Sequence, residues 1–439
     1  MATAYQVNVS TTDTGVLGFS QNADSASKAS ETLQADLKNH HIFFNDKGFH
    51  DHIAHHVLTA YALGAAPDSI QKAYDRNSTY QLPSRAYDEA IVRELGSKDG
   101  FNRYAEKRDQ YPHYLAFFQR QIDARGIAPV VNEYIFGDDK TAEDMFVRLF
   151  GGLIHPFIQL GFGIEFNQPA IVAEALAETA VHQANMGPFL LPAEQAAGGV
   201  GKTGKKSLIQ LQQEIRNNSK LRESVHYEDD NKILDGVMTR APDEIIKIAS
   251  QFSVGPGQVE EKLAELINAV VYFTGAAQHP PKCIKFDFFY LHCVTSAIFL
   301  PSFLSLPWLR DESKLRILEW KGRMDLLMYA SRGAVEPRPQ EITDYKPRLS
   351  WDEIFTQSIN HERDDGHASK FIRTLAYGEK LCKPFEQDEK YKEAFLMRGD
   401  MWIKLANMVI DSIQDSGDMW IMNAGFDQAW EKVGERSRL

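Results

Sequence analysis

Apolar residues recur at helical spacing along most of this chain, whereas the alternation typical of strands is scarce. Within residues 50–64, for example, Ile53 and Val57 begin one apolar stripe at i, i+4 spacing. No strand–helix–strand alternation supports a parallel sheet. The pattern predicts a mainly α fold, with a single large multi-helix domain at 31–439 and a mobile, polar N-terminal arm at 1–30. The other segments with a helical pattern are 168–186, 257–276, 314–332, 351–360, 366–380 and 389–415.

The charge balance and the cysteine content narrow the class of protein. Lys and Arg total 48 against 60 Asp and Glu, a net charge of −12, so no nucleic-acid partner is expected. The three cysteines, Cys283, Cys293 and Cys382, form no CxxC pair, which is typical of a reduced, cytoplasmic protein. The uncharged stretch 288–309 is long enough to span a bilayer. Its prolines and polar residues favour a buried helix broken near Pro301 and no membrane contact.

Motifs for nucleotide cofactors and for serine hydrolases are incomplete or missing. Gly201-Lys202-Thr203 matches the end of a phosphate-binding loop, but position 196 is alanine where that loop requires glycine, and no predicted strand precedes it. No GxGxxG follows a predicted strand, and the sequence contains no GxSxG. The motifs alone therefore predict no cofactor-binding residues.

Four of the 14 histidines cluster at the start of the first strong helical pattern. They are His50, His52, His55 and His56. His52 and His56 are spaced i, i+4 on one helix face, from which two imidazoles can reach one metal ion. The structural alternative is a polar helix start with one or two core imidazoles bonded to the backbone.

Two further histidines lie in apolar runs without charges. His155 lies within residues 149–164, and His292 lies within FFYLHCVTSAIFL. Burying an imidazole without partners for its two nitrogens costs on the order of kilocalories per mole. A single such residue is typical of a satisfied core histidine, but two of them, beside a cluster of four, favour a shared metal site.

The segment 361–375, HERDDGHASKFIRTL, adds a lysine. His367 and Lys370 are spaced i, i+3 on a helix that Asp364 or Asp365 can cap. The structural alternative is an exposed helix start with a solvated Lys370. A buried lysine has a lowered pKa, and its neutral amine reacts with CO₂ to form a carbamate, an anionic oxygen ligand. Neutral imidazoles together with one such oxygen suit a first-row metal, Fe(II) before Zn or Mn.

Four motifs, in this order along the chain, resemble those of a known family. They are GFHDHIAHHVLTAYALGA, GGLIHPFIQLGFGIEF, FDFFYLHCVTSAIFL and DDGHASKFIRTL. Together they are similar to the questin oxidase-like family of fungal polyketide-tailoring enzymes, which includes Baeyer–Villiger-type oxidases and anthraquinone ring-opening dioxygenases. The resemblance runs from about residue 40 to 415.

Membership in this family implies oxidative opening of an anthraquinone-type ring by an oxidoreductase. Its described members are either NADPH-dependent oxidases or non-haem iron enzymes with four histidines and a carboxylated lysine. The positions of this chain that match are His52, His56, His155, His292, His367 and Lys370. These are five histidines for four places, so either His367 orients the carbamate or one of the first two is spare.

Three functional hypotheses follow. The favoured one is an Fe(II)-dependent dioxygenase or monooxygenase that uses O₂ to open the quinone ring of a small aromatic polyketide, a reaction of secondary metabolite biosynthesis. The second is a metal-free, NADPH-dependent Baeyer–Villiger oxidase of the same substrate class, in which the histidines act as acids and bases. The third is a non-catalytic helical binding or scaffold protein whose histidines are polar core groups.

Overall fold

The computed structural model describes residues 1–414 and 417–436, and these residues form helices joined by irregular segments. The predicted mainly α fold is confirmed. In chain order, the α-helices are α1 Ala23–Asn39, α2 Ile53–Ala62, α3 Pro67–Ser78, α4 Glu89–Glu94, α5 Lys98–Tyr104, α6 Tyr111–Arg125, α7 Ile127–Tyr134, α8 Lys140–Arg148, α9 His155–Glu165, α10 Pro169–Val181, α11 Gly187–Ala196, α12 Leu208–Asn217, α13 Ser219–Glu223, α14 Met238–Arg240, α15 Pro242–Ala249, α16 Val259–Ala276, α17 Phe288–Ala297, α18 Leu300–Leu304, α19 Asp311–Ser331, α20 Gln340–Thr343, α21 Trp351–Asn360, α22 His367–Glu386 and α23 Met401–Gln414.

Short segments complete the secondary structure. Turns of 3-10 helix occupy Arg108–Gln110, Gly152–Ile154, Pro256–Gln258, Glu389–Tyr391 and Asp427–Trp430, and a π-helical turn occupies Lys232–Val237. The strands β1 Phe286–Asp287 and β2 Trp420–Ile421 pair in parallel, with Phe286 opposite Trp420. In the described part of the chain, β1 and β2 form a two-stranded sheet.

Contacts between Cα atoms divide the chain into two compact units. Unit 1 consists of Met1–Gly187, Pro301–Leu309 and Ile359–Lys370. Unit 2 consists of Pro188–Leu300, Arg310–Ser358 and the described residues from Phe371 onward. Of the predicted metal ligands, His292 lies in unit 2 and all the others lie in unit 1.

In unit 1, helix α10 packs against α9 and α6, and α2 packs against α9 and α3. Gly163 allows the close approach of α9 to α10, because a Cβ atom at this position would lie 2.7 Å from Val172 Cγ2 and 2.8 Å from the Val172 backbone nitrogen. The contact between α2 and α9 matters most for function, since His52 directly precedes α2 and His155 is the first residue of α9.

The predicted N-terminal arm, residues 1–30, makes specific contacts within unit 1. The backbone nitrogen of Val7 donates to Gln34 Oε1 at 2.8 Å, and that of Asn8 donates to Gln168 Oε1 at 3.0 Å. Helix α1 begins inside the predicted arm. The mobility of this segment stays a prediction.

In unit 2, the helical prediction for 389–415 is wrong over residues 392–400, because the 3-10 turn ends at Tyr391 and α23 begins only at Met401. Residue 415 lies outside the described residues. The buried carboxamide of Asn268 on α16 donates to the Met397 carbonyl oxygen at 2.9 Å and accepts from the Met397 backbone nitrogen at 3.0 Å. A side chain distant in sequence therefore takes the hydrogen bonds that a helix would otherwise have made there.

The apolar stretch 288–309 forms two helices and not one. As predicted, the helix breaks near Pro301, because α17 ends at Ala297 and α18 begins at Leu300. Among the described residues, no single helix is both long and apolar enough to cross a membrane. One pair, Lys140–Arg148 with Gly152–Glu165, meets the length and composition requirement together but is bent by 69°.

Gly322, in the middle of α19 in unit 2, is a site where a larger residue should destabilise the protein. A Cβ atom there would overlap the ring of the buried Phe252. We expect Gly322→Ala to lower the free energy of unfolding by about 1–3 kcal/mol through overpacking, although alanine is favoured over glycine in a helix by about 1 kcal/mol. The midpoint of urea unfolding measures this change. Gly257→Ala is the matched control, since no atom lies within 4 Å of its Cβ position; a stabilised Gly322→Ala protein would contradict the packing argument.

Candidate active site

Buried imidazoles from three segments of unit 1 meet beside the start of α2. His52 Nε2 lies 3.1 Å from His155 Nε2. The ring of His52 also lies 4.7 Å from that of His367 and 5.3 Å from that of His55, between centroids. Lys370 Nζ lies 3.4 Å from His55 Nδ1. We call His52, His55, His155, His367 and Lys370 the imidazole–lysine cluster.

The backbone before α9 sets the position of His155. Leu153 and Ile154 both adopt left-handed conformations, with φ of 57° and 65°, so the preceding 3-10 turn ends and α9 begins at His155. The Nδ1 atom of His155 lies 2.7 Å from the Gly152 carbonyl oxygen and donates to it. In a neutral imidazole this leaves the lone pair on Nε2, the atom that faces His52.

The start of α22 is built by two aspartates with different roles. Asp364 accepts from the backbone nitrogens of Ala368 and Ser369 at 2.9 and 3.1 Å and so caps the helix. Asp365 Oδ1 lies 2.7 Å from His367 Nδ1 and accepts a hydrogen bond from it, which orients the imidazole. Lys370, one turn into the helix, is only 2% exposed, so the solvated lysine considered from sequence is wrong.

Burial controls the protonation of the cluster. It lowers the pKa of His52 and of His55 well below the usual value, and the nearby charge of Lys370 lowers both further. Burial also lowers the pKa of Lys370 to about 8. The two imidazoles are therefore neutral at physiological pH and present lone pairs, as metal ligands must.

His56, the predicted partner of His52, is directed elsewhere. Its Nδ1 atom accepts from Asn77 Nδ2 at 3.0 Å, and its Nε2 atom is buried without a hydrogen-bond partner. His55 occupies the position in the cluster that the i, i+4 spacing had suggested for His56. The spacing rule assumes that both residues are helical, whereas His52 has ψ of 7° and precedes α2.

His292 lies on α17 in unit 2 and is fully buried. Its Nδ1 atom lies 2.6 Å from the Phe288 carbonyl oxygen one turn earlier and donates to it. The ring packs edge-on against Phe288 at 4.7 Å. As in His155, this arrangement leaves the Nε2 atom as the lone-pair nitrogen.

The combination of converging imidazoles with a buried lysine agrees with the results of sequence comparison. The family model for Questin oxidase-like proteins matches residues 49–375. The chain belongs to this family. Similar proteins in the family include the questin oxidase of Aspergillus fumigatus, 39% identical over 99% of both chains, and the Baeyer–Villiger oxidase ptaJ of Pestalotiopsis fici, 41% identical over 98% of this chain and 99% of the relative.

A further member, the Baeyer–Villiger monooxygenase dmxR6 of a Cryptosporiopsis species, is 38% identical over 93% of this chain and 94% of its own. These names describe oxidoreductases, and this questin oxidase-like chain is accordingly an oxidoreductase. The third hypothesis, a non-catalytic scaffold, is therefore wrong.

Unit 1 of this family member also contains a group of buried carboxyl side chains, Asp36, Asp51 and Glu174. Glu174 on α10 accepts from Gln159 Nε2 on α9 at 3.2 Å. Burial, and then the charge of Asp51, raises the pKa of Glu174 to about 8. Burial and Asp36 likewise raise the pKa of Asp51, whose Oδ1 atom also accepts from the backbone nitrogen of Ile53, the first residue of α2, at 2.8 Å. Glu174 was not among the residues predicted from the sequence, although its place in an alanine-rich, otherwise apolar helical segment was a usable signal.

Proposed function

We propose that this chain is a non-haem Fe(II)-dependent oxygenase that opens the quinone ring of an anthraquinone-type polyketide by oxidative C–C cleavage with O₂. The substrate class comes from the relatives, named questin oxidase and Baeyer–Villiger oxidase. The observation that carries the proposal is the approach of His52 Nε2 to His155 Nε2, at 3.1 Å, inside a buried set that includes His367 and Lys370.

The distances and the donor atoms of the imidazole–lysine cluster fit a first-row metal. Two nitrogens bound to one ion at about 2.1 Å, about 90° apart, lie about 3.0 Å from each other. The separation between His52 and His155 is close to this value. His367 is oriented by Asp365, as ligand histidines commonly are by a carboxylate. The family resemblance also implies His292 as a ligand, and that assignment stays a prediction.

Lys370 supplies the anionic ligand in this proposal. With a pKa of about 8, about 10% of Lys370 is neutral at pH 7, against about 0.03% of an ordinary lysine. The neutral amine forms an N–C bond to CO₂ and releases one proton, which yields a carbamate anion. Its oxygen atoms add one negative charge to a set that otherwise consists of neutral imidazoles.

The residues of the chain hold, orient and shield the reacting groups. Bound Fe(II) with an open position would supply activation of O₂ towards an electron-rich phenolic substrate. The Gly152 carbonyl fixes the tautomer of His155, and Asp365 fixes that of His367. Phe162 stacks on His55 at 5.0 Å and keeps water from this side of the cluster.

Metal analysis of protein purified without chelator tests the proposal. We expect iron in the wild-type protein and loss of both iron and substrate-dependent O₂ uptake in His155→Ala. His226→Ala, at an exposed position, is the matched control and should retain both. Incorporation of ¹⁸O from ¹⁸O₂ into the product distinguishes a dioxygenase from a monooxygenase. Full turnover by metal-free protein would contradict the proposal.

The names of the relatives also favour a second candidate, a Baeyer–Villiger oxidase. In the form that the family resemblance implies, this enzyme consumes NADPH and needs no metal. In this case the buried imidazoles would act as proton donors and acceptors. Oxygen uptake that requires NADPH and is unaffected by EDTA would support this candidate over the iron enzyme.

A further inference from the structure

A second group of metal-ligating side chains lies in unit 1, outside the imidazole–lysine cluster. His50 Nε2 and His182 Nε2 are 2.8 Å apart. Glu178 Oε1 lies 3.4 Å from the first and 3.7 Å from the second. Glu178 is in the last turn of α10 and His182 caps its end, whereas His50 comes from the segment before α2. The three ligand atoms therefore come from two separate parts of the chain and face one another.

One oxygen atom of the carboxylate in this group, Glu178 Oε1, has no hydrogen-bond partner. Glu178 is only 1% exposed, and its Oε1 atom, which points between the two imidazoles, receives no hydrogen bond. A buried oxygen in this state is costly, by about 1–3 kcal/mol or more for a charged group. A cation between Glu178, His50 and His182 would satisfy all three ligand atoms at once.

The surroundings hold the two imidazole rings close to the backbone of Gly152 and cover them with an aromatic side chain. Gly152 has φ of +50°, and a Cβ atom there would lie 2.7 Å from His182 Nε2 and 3.0 Å from His50 Cε1. Its lack of a side chain allows both rings to lie this close to the backbone. Phe43 packs against His50 at 5.3 Å and His182 at 5.6 Å and covers the group.

We propose that His50, Glu178 and His182 bind a second divalent cation of the first transition row. Two imidazole nitrogens and one carboxylate are a common set for Zn(II) and Fe(II). The nitrogen separation of 2.8 Å is within a few tenths of an ångström of the roughly 3.0 Å that two ligands of one ion require. The proposal does not depend on the proposed function, because it shares no ligand with the imidazole–lysine cluster.

The second ion would stabilise one wall of the first site. The ring of His50 stacks on that of His155 at 4.0 Å, with an angle of 10° between the planes. An ion that holds His50 in place thereby restrains His155. The role is one of positioning, and the reacting groups remain those of the imidazole–lysine cluster.

Cobalt titration of the chelator-treated full chain tests the inference. Co(II) is the probe, bound metal is counted by equilibrium dialysis, and the visible absorption of Co(II) reports the ligand set. We expect about two equivalents per chain in wild type and about one in Glu178→Gln or His182→Gln. Glu174→Gln, which makes the same change one turn earlier on α10, is the matched control and should bind about two. Circular dichroism checks that every variant is folded.

The outcomes separate this inference from the proposed function. Equal cobalt content in wild type and Glu178→Gln would overturn the second site. Loss of all cobalt from both folded Glu178→Gln and Lys370→Ala would also overturn it, because one shared site would then be present. A wild type that binds about one equivalent, lost in Glu178→Gln but kept in Lys370→Ala, would support the inference and contradict the proposed iron site.

Discussion

Replacing Lys370 by alanine or arginine should abolish ring opening while the protein remains folded. An anionic ligand that stabilises a catalytic metal contributes several kilocalories per mole to the rate, so we expect a loss on the order of 10³-fold or more in turnover. Arginine keeps the positive charge but cannot form a carbamate, and it should be as inactive as alanine. Substrate-dependent O₂ uptake and iron content, measured on the same preparations, should fall together.

The carbamate can be observed directly. Protein exchanged with ¹³CO₂ should give a carbamate signal in ¹³C NMR spectra that is missing from the Lys370 variants. Lys232→Met is the control, since Lys232 is also buried but donates to the backbone carbonyls of Tyr227 and Asp229 in unit 2. Turnover close to wild type in Lys370→Arg would show that no carbamate is needed and would count against the iron proposal.

The second large effect concerns stability, at Glu174. Below pH 4.5 this carboxyl is protonated in both the folded and the unfolded chain. Above that pH the unfolded chain releases the proton, whereas the folded chain retains it until about pH 8. The free energy of unfolding should therefore fall as the pH rises from 4.5 to 8, by on the order of a few kcal/mol from Glu174 and the carboxyl groups that interact with it.

Glu174→Gln removes this contribution and keeps an acceptor for Gln159. We expect the variant to be more stable than wild type at pH 8 and to show a smaller difference in stability between pH 5 and pH 8. Urea unfolding of chelator-treated protein at the two pH values measures both quantities. Glu143→Gln, at an exposed position on α8, should leave the difference unchanged. A Glu174→Gln protein with the pH dependence of wild type would refute the assignment.

Sequence periodicity located the helices α2, α10, α16, α19, α21, α22 and α23, because it reports burial of one face, and left most of the others unpredicted. The segment 351–360 was predicted with the bounds of α21, and 257–276 ends where α16 ends. Sequence periodicity failed where a side chain distant in sequence makes the hydrogen bonds that a helix would have made, as Asn268 does with the backbone of Met397. Such a contact has no local signature, and neither does the grouping of the chain into two units.

The sequence predicted the type of site, a cluster of buried imidazoles, better than it predicted which histidines belong to that cluster. Histidines placed in apolar runs indicated buried imidazoles, and His155 and His367 do lie beside His52. The choice between His55 and His56 depends on the residue at which α2 begins, and propensity does not determine helix starts to one residue. His182 follows an ordinary alanine-rich helix, so only its position next to His50 draws attention to it.

Two consecutive left-handed residues, Leu153 and Ile154, stand immediately before His155. Glycine would adopt these angles without strain, whereas leucine and isoleucine do so at about 1–2 kcal/mol each. Glycine at these two positions, however, would also allow the turn to adopt other backbone conformations. A branched side chain at both positions restricts the backbone of this turn and therefore the orientation of the His155 imidazole. The strain at Leu153 and Ile154 lowers the stability of the folded chain, but it keeps this ligand in one orientation.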